Sequence, residues 1–202
     1  MKTAFRDLLR PEVFLHISDT PNYILLKEDA PDSTIKKLRI YNPPQDCAAF
    51  QLDPAQSKGL KSLGKALKQL SWIVNASHVN ANKKCDMVVV WKNDANINVL
   101  LMDLKSEGSK QSDCKRQLRN SQIFTDLLIC LAKEYHGVSG EINYFKAIIK
   151  GTRTFTSKSP TNQNNRQKPT MIDNIIYIDS PSSGRQNSEA AINFADMCAS
   201  AH

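Results

Sequence analysis

Two acids and a lysine interrupt a stretch of the chain that is otherwise suited to a buried hairpin. Residues 86–107 read DMVVVWKNDANINVLLMDLKSE, with two apolar runs separated by a polar turn. Asp86 stands at the outer end of the first run, Asp103 at the outer end of the second, and Lys105 two places further on. Charged side chains are costly in a core, so these three are candidate functional residues.

A short turn between the two runs fixes which residues face each other. In an antiparallel pair, each step back along one strand is matched by a step forward along the other. If Lys92 pairs with Ile97, counting outward from that pair places Asp86 opposite Asp103. Directly opposed residues of antiparallel strands share a face, with Cβ atoms about 5 Å apart. Lys105 lies on the same face as Asp103, because alternate residues of a strand point the same way. The sequence therefore predicts two carboxylates and one ammonium together at one edge of a sheet.

Neighbouring carboxylates repel each other, and the pKa of one of them rises unless a cation lies between them. Mg²⁺ suits such a pair, because it takes oxygen ligands and is commonly held by one or two carboxylates plus substrate phosphate. Mn²⁺ is the expected substitute. Lys105 could orient or deprotonate a water and stabilise charge on a phosphorane. The alternative without chemistry is an edge hairpin with a cross-strand ion pair.

The segment before the hairpin predicts a helix from Asp53, the expected N-cap, to Val74. Its leucines recur at three- and four-residue spacing, and a stripe of lysines lies opposite them. A helix face with charges of one sign is typical of contact with a phosphate backbone, although a merely solvated face remains the alternative. The stripe is Lys58, Lys61, Lys65 and Lys68.

After the hairpin, the sequence predicts a second helix capped by Ser112 or Asp113 and ended by Gly137. Its expected apolar face is Leu118, Ile123, Leu127, Leu128 and Leu131. Asp113-Cys114-Lys115 repeats the D-x-K spacing, but it opens this helix, so we do not assign it to the site. Strands INYFKAIIKG and MIDNIIYID flank a polar loop over residues 156–170, and a C-terminal helix follows. The loop contributes three further candidates for contact with nucleic acid, Lys158, Arg166 and Lys168.

Composition bounds the class of protein. The chain has 202 residues, 41% of them hydrophobic, which predicts one α/β domain with a central mixed sheet flanked by helices. We divide it into a β-rich part (1–52), a core (53–151) and a part with the basic loop, a strand and the C-terminal helix (152–202). The net charge of +7 favours a polyanionic partner. Five cysteines without C-x-x-C spacing, and no apolar leader or membrane span, predict a soluble intracellular protein, cytoplasmic if bacterial.

These residues resemble the PD-(D/E)XK nuclease superfamily, whose members share a restriction-endonuclease-like core. Asp86 matches the first acid of that pattern, and Asp103-Leu104-Lys105 matches its (D/E)-x-K element on the next strand. The resemblance implies that Asp86, Asp103 and the main-chain carbonyl of Leu104 hold the metal. It also implies a catalytic role for Gln117, since several branches carry a glutamine early in the following helix.

The resemblance covers residues 54–151, about half the chain, and two positions depart from the pattern. Cys85 stands where the family often has proline, and the helix before the hairpin lacks the glutamate that the family often supplies. Metal binding would then rest on fewer ligands, or on a third acid from elsewhere, with Glu12, Glu28 and Glu107 as the candidates.

Three functions remain open. The first is a Mg²⁺-dependent endonuclease that hydrolyses DNA, for which a homodimer would suit cleavage of both strands. The second is an inactive nucleic-acid-binding or protein-interaction module of the same fold. The third is an RNA endonuclease of the cap-snatching kind, for which His78 is the candidate metal-binding histidine. No clear Ser-His-Asp set or Gly-rich phosphate loop is present, which disfavours serine hydrolases and P-loop enzymes.

Overall fold

The structure is a computed structural model that describes residues 1–28, 33–52, 83–93, 95–106, 110–153, 169–182 and 189–198. The predicted helix from Asp53 with its lysine stripe lies outside these residues, as do His78 and Glu107. Most of the polar loop, including its three basic residues, lies outside them as well. Among the described residues, no helix has both the length and the apolar character needed to cross a membrane.

The first part of the chain forms one helix and four short strands. Helix α1 spans Lys2–Leu8, and a 3-10 turn follows at Pro11–Val13. The strands are β1 (His16–Asp19), β2 (Asn22–Lys27), β3 (Lys37–Tyr41) and β4 (Ala48–Phe50). The first three strands lie in the β-rich runs EVFLHIS, NYILLKE and TIKKLRIYN of the part predicted to be β-rich, so these runs are confirmed as strand-forming.

The hairpin comes next, as β5 (Met87–Asn93) and β6 (Asn96–Lys105). Helix α2 (Gln111–His136) then leads to β7 (Glu141–Arg153). The remaining strands are β8 (Thr170–Ile172), β9 (Ile175–Ser182) and β10 (Glu189–Asn193), and a 3-10 turn follows at Phe194–Met197. The predicted hairpin, second helix and following strand are therefore confirmed as elements.

The strands form two mixed sheets. The larger has the order β4-β5-β6-β7-β9-β8, and the smaller has the order β1-β2-β3-β10. In the larger sheet β5 and β6 are antiparallel, whereas β6, β7 and β9 run parallel to one another. Helix α2 is the crossover between β6 and β7, as parallel neighbours require. The carboxyl ends of three strands consequently lie at one edge of the larger sheet.

Both faces of the larger sheet are buried, which explains why β5 and β6 are apolar at nearly every position. One face packs against the smaller sheet, and this first core includes Ile24, Leu38, Ile40, Val89, Leu100, Met102 and Ile149. The other face packs beneath the helices, and this second core includes Phe5, Phe50, Val88, Val90, Leu101, Leu118 and Ile148. Odd-numbered residues of β6 and even-numbered residues of β5 therefore face the helices.

The prediction of an α/β protein with a central mixed sheet is confirmed, but the arrangement of its layers differs. Within the described residues, α1 and α2 cover one face of the larger sheet, and a second sheet covers the other face instead of helices. The smaller sheet exists because β10 pairs in parallel with β3, a partner about 150 residues away in the chain. Local sequence patterns carry little information about such distant pairing.

Two predictions at the ends of the chain are wrong. The C-terminal segment was predicted to be a helix, but Glu189–Asn193 is a strand whose Ala190 and Ile192 are buried in alternation. Pairing with β3 outweighs the helix propensity of its alanines. At the other end, the part predicted to be β-rich begins with a helix, α1.

Two local details also differ from the predictions. The segment MIDNIIYID forms two strands, because Asp173 and Asn174 both adopt positive φ and make a tight turn between β8 and β9. Helix α2 begins two or three residues earlier than predicted, with Lys110 as an N-cap that makes no side-chain capping bond. Gly137 ends the helix as predicted, and it does so in the left-handed conformation.

The buried face of α2 was predicted only in part. Leu118 is buried and Leu128 packs against the second core, but Ile123 is 61% exposed and Leu127 is 47% exposed. The face that packs on the sheet is instead built from smaller side chains, which allow a close approach of helix and strands. Its members are Cys114, Leu118, Ser121, Thr125, Ile129 and Ala132.

Candidate active site

The register of the hairpin confirms the pairing inferred from its turn. Lys92 lies opposite Ile97, and the ladder continues to Met87 opposite Met102. The next pair outward is Asp86 and Asp103, which therefore lie across from each other at the edge of the sheet.

This acid pair faces the helices. Asp103 has the same parity as Leu101, and Asp86 has the same parity as Val88, and both of these neighbours belong to the second core. Lys105, at the end of β6, points to the same side. The structure thus brings together the three charges that the sequence singled out.

Asp103 is the most deeply buried charged residue of the site. Its side chain has no exposed surface, and the Lys105 ammonium lies 2.8 Å from its Oδ2. Neither carboxylate oxygen makes a hydrogen bond of acceptable geometry within the described part of the chain. The contact with Lys105 is therefore an ion pair of short distance but poor direction. A buried carboxylate in this condition is costly, which indicates a place for a further partner.

Asp86 is partly buried and is held by the backbone of the neighbouring strand. Its Oδ2 accepts a 2.6 Å hydrogen bond from the N–H of Leu104. The role that the family resemblance implies for the Leu104 carbonyl stays a prediction.

The two carboxyl groups have raised pKa values. Burial raises the pKa of Asp86 well above its usual range, and the neighbouring Asp103 carboxylate raises it further. Burial likewise raises the pKa of Asp103, although the Lys105 ammonium opposes that change. Within the described residues Lys105 is the cation that pairs with these acids. One ammonium does not balance two carboxylates, so the pair is poised to gain from a metal cation.

Lys105 is held as an ammonium. Burial lowers its pKa, but the Asp103 and Asp86 carboxylates outweigh burial, and the net change is upward. A lysine with a raised pKa is a poor general base near neutral pH. It is suited to stabilising negative charge instead.

Helix α2 is anchored to the residue before the first acid. The Ser121 hydroxyl accepts a 2.7 Å hydrogen bond from the backbone N–H of Cys85 and donates to the carbonyl of Gln117. Gln117 is thereby fixed on α2 between Cys114 and Ser121, and both of these are buried against the sheet. Its backbone is close to the start of β5, and the structure gives no contact of its side chain with the acids.

A second row of polar residues lies beside the acids, and sequence analysis missed it. Lys150 on β7 is the register partner of Lys105 on β6, and Asp179 on β9 is the register partner of Lys150. The Cys114 thiol on α2 reports the same neighbourhood, because burial raises its pKa while Lys105 and Lys150 both lower it. The only trace of this row in the sequence is the lysine that ends each apolar run, at the close of LLMDLK and of KAIIK.

The third acid was left open between three glutamates. Glu12 lies in the 3-10 turn at Pro11–Val13, and Glu107 lies outside the described residues. Glu28, just beyond β2, is close enough to contribute to the raised pKa of Asp103. Even so, within the described ranges no three His, Cys, Asp or Glu side chains converge closely enough to bind one ion.

The residues present fit Mg²⁺ better than a metal that requires a full protein cage. The acid pair supplies hard oxygen ligands, and Asp103 has two buried oxygens without hydrogen bonds. Mg²⁺ keeps several waters and is commonly held by one or two carboxylates together with substrate phosphate. The lack of a third side-chain ligand in the described part of the chain is compatible with this coordination of Mg²⁺.

The second D-x-K sequence is separate from this pair. Asp113 is exposed in the first turn of α2, and Lys115 pairs with Asp173 in the turn between β8 and β9. Neither residue belongs to the strand edge that carries the acids. The predicted contacts to nucleic acid through the lysine stripe and the polar loop stay predictions, since those residues are not among the described ones.

Comparisons with protein-family models, with curated proteins and with solved structures found no match to this chain.

Proposed function

We propose that the protein is a metal-dependent endonuclease that hydrolyses phosphodiester bonds in DNA, with Mg²⁺ as its cofactor and Mn²⁺ as a substitute. The observation that supports this most strongly is the buried Asp103 carboxylate, which lies beside Asp86 and lacks hydrogen bonds. A structural ion pair would be expected to satisfy both oxygens of a carboxylate with no exposure. An acid pair that binds a divalent cation explains the two unsatisfied oxygens directly.

Each residue has a distinct role in this proposal. Asp86 and Asp103 bind the cation, and the hydrogen bond from Leu104 fixes the orientation of the Asp86 carboxylate. Lys105 stabilises the negative charge that develops on the phosphorane, and its raised pKa keeps it charged during the reaction. When bound, Mg²⁺ would neutralise substrate phosphate and lower the pKa of a bound water. Gln117 remains a candidate for positioning substrate or water from α2.

The order of elements also supports a restriction-endonuclease-like core. In that family an antiparallel hairpin carries the acids and is followed by a helix and a parallel strand, and β5, β6, α2 and β7 follow one another in that way. The net charge of +7 supports a polyanionic substrate, to which the lysine stripe would add affinity independent of sequence. A homodimer is proposed only as the arrangement that would cut both strands.

A module that binds nucleic acid or another protein without cutting is the second candidate. It is favoured by the absence of a third converging acid within the described residues. An RNA endonuclease is a variant of the first candidate, because the acid pair and Lys105 would serve either sugar. Both alternatives use the same fold and differ in the substrate or in the chemistry.

Incubation of plasmid, single-stranded DNA and RNA with the purified protein tests these candidates. We expect cleavage of DNA in Mg²⁺ or Mn²⁺, none in EDTA, and none for Asp103→Asn under any condition. Cleavage confined to RNA would select the RNA endonuclease. Binding without cleavage in every metal would select the inactive module.

A further inference from the structure

Two lysines of the candidate site lie directly opposite each other. Lys105 and Lys150 are register partners in the parallel pair of β6 and β7, so their side chains leave the same face at neighbouring positions. Like charges at directly opposed strand positions are destabilising. Asp103 is the counter-ion of Lys105. Of the two lysines, Lys150 is therefore the one whose charge is not balanced by this ion pair.

Lys150 is not part of any ion pair among the described residues, although a carboxylate is close in register. Its register partner on β9 is Asp179, yet their charged groups are farther apart than an ion pair allows. The ammonium lies instead over the ring of Tyr177, 5.5 Å from the ring centroid. A half-buried lysine that has no counter-ion among the described residues remains available to an external anion.

Tyr177 contributes a hydrogen-bond donor to the same place. Its hydroxyl accepts a 2.9 Å hydrogen bond from the side-chain N–H of Gln111, the first residue of α2. This bond uses a lone pair of the hydroxyl and leaves the hydroxyl proton to donate, and within the described chain no acceptor takes it. Gln111 therefore orients the hydroxyl as a donor, on the same ring that the Lys150 ammonium lies over.

We propose that Lys150 and Tyr177 form a phosphate-binding subsite next to the acid pair, which holds a backbone phosphate that neighbours the scissile one. Tyr177 lies in register with Asp103 through Ile148, and Lys150 lies one side-chain step further along β7. A substrate strand bound at the acids would extend over this pair. The inference rests on the proposed nuclease function and narrows its substrate to a polynucleotide chain rather than a single phosphodiester.

The test separates binding from cleavage by measuring affinity in EDTA. A fluorescently labelled short single strand is titrated with the wild-type protein, Lys150→Gln and Tyr177→Phe. Lys150→Gln should weaken binding about tenfold, the effect of a hydrogen bond to a charged group. It should also lower the slope of log affinity against log salt by about 0.7, the value for one phosphate contact with a single strand. Tyr177→Phe should weaken binding about threefold and leave the slope unchanged.

Lys92→Gln is the matched control. Lys92 lies on β5 at the opposite edge of the same sheet, is exposed, and loses the same charge on substitution. It should leave the affinity for the labelled strand within about twofold of wild type, as expected for a surface substitution away from the contact. If Lys92→Gln and Lys150→Gln lost the same affinity for the labelled strand, the loss would come from net charge alone, and the subsite would be overturned.

A series of strands with one uncharged methylphosphonate each distinguishes a backbone phosphate from a free one. The wild-type protein should lose affinity at one position of the series, and Lys150→Gln should not respond to that position. Suppose that Lys150→Gln changes how well inorganic phosphate competes with the strand, while no methylphosphonate position lowers the affinity of the wild type. The pair would then bind free phosphate, and the proposal of a subsite for a polynucleotide would be overturned.

The outcomes also separate this inference from the proposed function. Wild-type cleavage with no difference between Lys150→Gln and Lys92→Gln in binding would refute the subsite and leave the nuclease. Position-dependent binding through Lys150 with no cleavage in any metal would retain the subsite and refute the nuclease. A wild-type protein that neither binds nor cleaves would refute both.

Discussion

Replacing Asp103 by asparagine should stabilise the metal-free protein while abolishing its activity. In the wild type, two neighbouring buried acids share one lysine, and neither oxygen of Asp103 has a hydrogen bond in the described chain. Asparagine has nearly the same shape, removes one negative charge, and can donate its amide hydrogen to Asp86. The Asp86 carboxylate already acts on Lys105, so the ammonium keeps a counter-ion after the substitution.

The magnitude follows from what Asp103 lacks. Lys105 forms an ion pair with Asp103, but neither oxygen of Asp103 makes a hydrogen bond in the described chain. A buried polar group without hydrogen bonds costs about 1–3 kcal/mol, so Asp103→Asn should recover on the order of 2 kcal/mol of unfolding free energy in EDTA. For a chain of this size that corresponds to a rise of about 4–8 °C in Tm. The competing possibility is a loss of about 3–5 kcal/mol, the cost of breaking a buried ion pair and leaving one partner uncompensated.

The pH dependence of the unfolding free energy provides a second readout. Its sign is opposite to that of a carboxyl group whose pKa is lowered on folding. The pKa values of Asp86 and Asp103 are raised in the folded protein, so the folded state binds protons that the unfolded chain releases. These two carboxyl groups therefore contribute most to the stability of the metal-free protein below the ordinary pKa of aspartate, and that contribution is lost as the pH rises through their raised values. Asp103→Asn should flatten that loss.

Thermal unfolding with and without metal measures both effects. In EDTA the variant should melt above the wild type, whereas saturating Mg²⁺ should raise the Tm of the wild type and leave the variant almost unchanged. A ligand at a hundred times its Kd contributes about 2.7 kcal/mol, enough to reverse the order. Asp113→Asn, in the other D-x-K sequence, is the control and should behave as wild type in both respects. A variant that melts well below the wild type in EDTA would refute the idea of an acid pair in need of a cation.

Four further predictions address other parts of the account. Lys105→Ala should abolish cleavage and weaken DNA binding in Ca²⁺ only slightly, because it removes one charge beside the scissile phosphate; full activity would exclude its catalytic role. Changing the stripe to glutamine should weaken DNA binding and flatten its dependence on log salt, and an unchanged slope would make it a solvated face; the stripe is Lys58, Lys61, Lys65 and Lys68. If the loop contacts substrate, deleting residues 156–170 should weaken DNA binding. Binding and cleavage equal to those of the wild type would show that the loop makes no such contact. Gly140→Ala should cost more than about 3 kcal/mol in chemical denaturation, because its φ of 139° excludes other residues and a Cβ would collide with the carbonyl oxygen of Ala95; Gly137→Ala, with open space around it, should cost only about 1 kcal/mol.

The acid pair could be predicted from sequence because everything that determines it is local. The turn is short, so the register of β5 and β6 follows from the turn alone, and Asp86 falls opposite Asp103 without any knowledge of the rest of the fold. The charges also stand out against apolar neighbours. Gly137 was predictable for the same reason, since a glycine after a long helical pattern marks its end.

The Lys150 and Tyr177 pair could not be predicted, because no turn fixes the register between β6, β7 and β9. Those strands are parallel, and their alignment depends on how the crossover packs, which no short pattern encodes. The buried face of α2 was missed in part for a related reason. Ser121 and Thr125 are buried there, and both bond to carbonyls four residues back in the same helix, so polarity is a poor guide to which face packs.

The smaller sheet shows the same limit on a larger scale. Its strands β1, β2 and β3 have the composition of strands and were predicted, but β10 joins them only through the distant pairing with β3. Its sequence is rich in alanine, which favours a helix in isolation. Burial of Ala190 and Ile192 against the larger sheet decides the conformation instead.

Cleavage of DNA by the purified wild-type protein and by Asp103→Asn is the most direct test of the proposed function. Supercoiled plasmid and single-stranded DNA would be incubated with each protein in Mg²⁺, Mn²⁺, Ca²⁺ and EDTA, and binding of the same DNA would be measured in Ca²⁺. We expect the wild type to cut in Mg²⁺ and Mn²⁺ only, and Asp103→Asn to bind DNA as tightly or more tightly without cutting it. A wild-type protein that leaves every DNA intact, or an Asp103→Asn protein that still cuts, would contradict the proposal that the acids of the hairpin form a catalytic metal site.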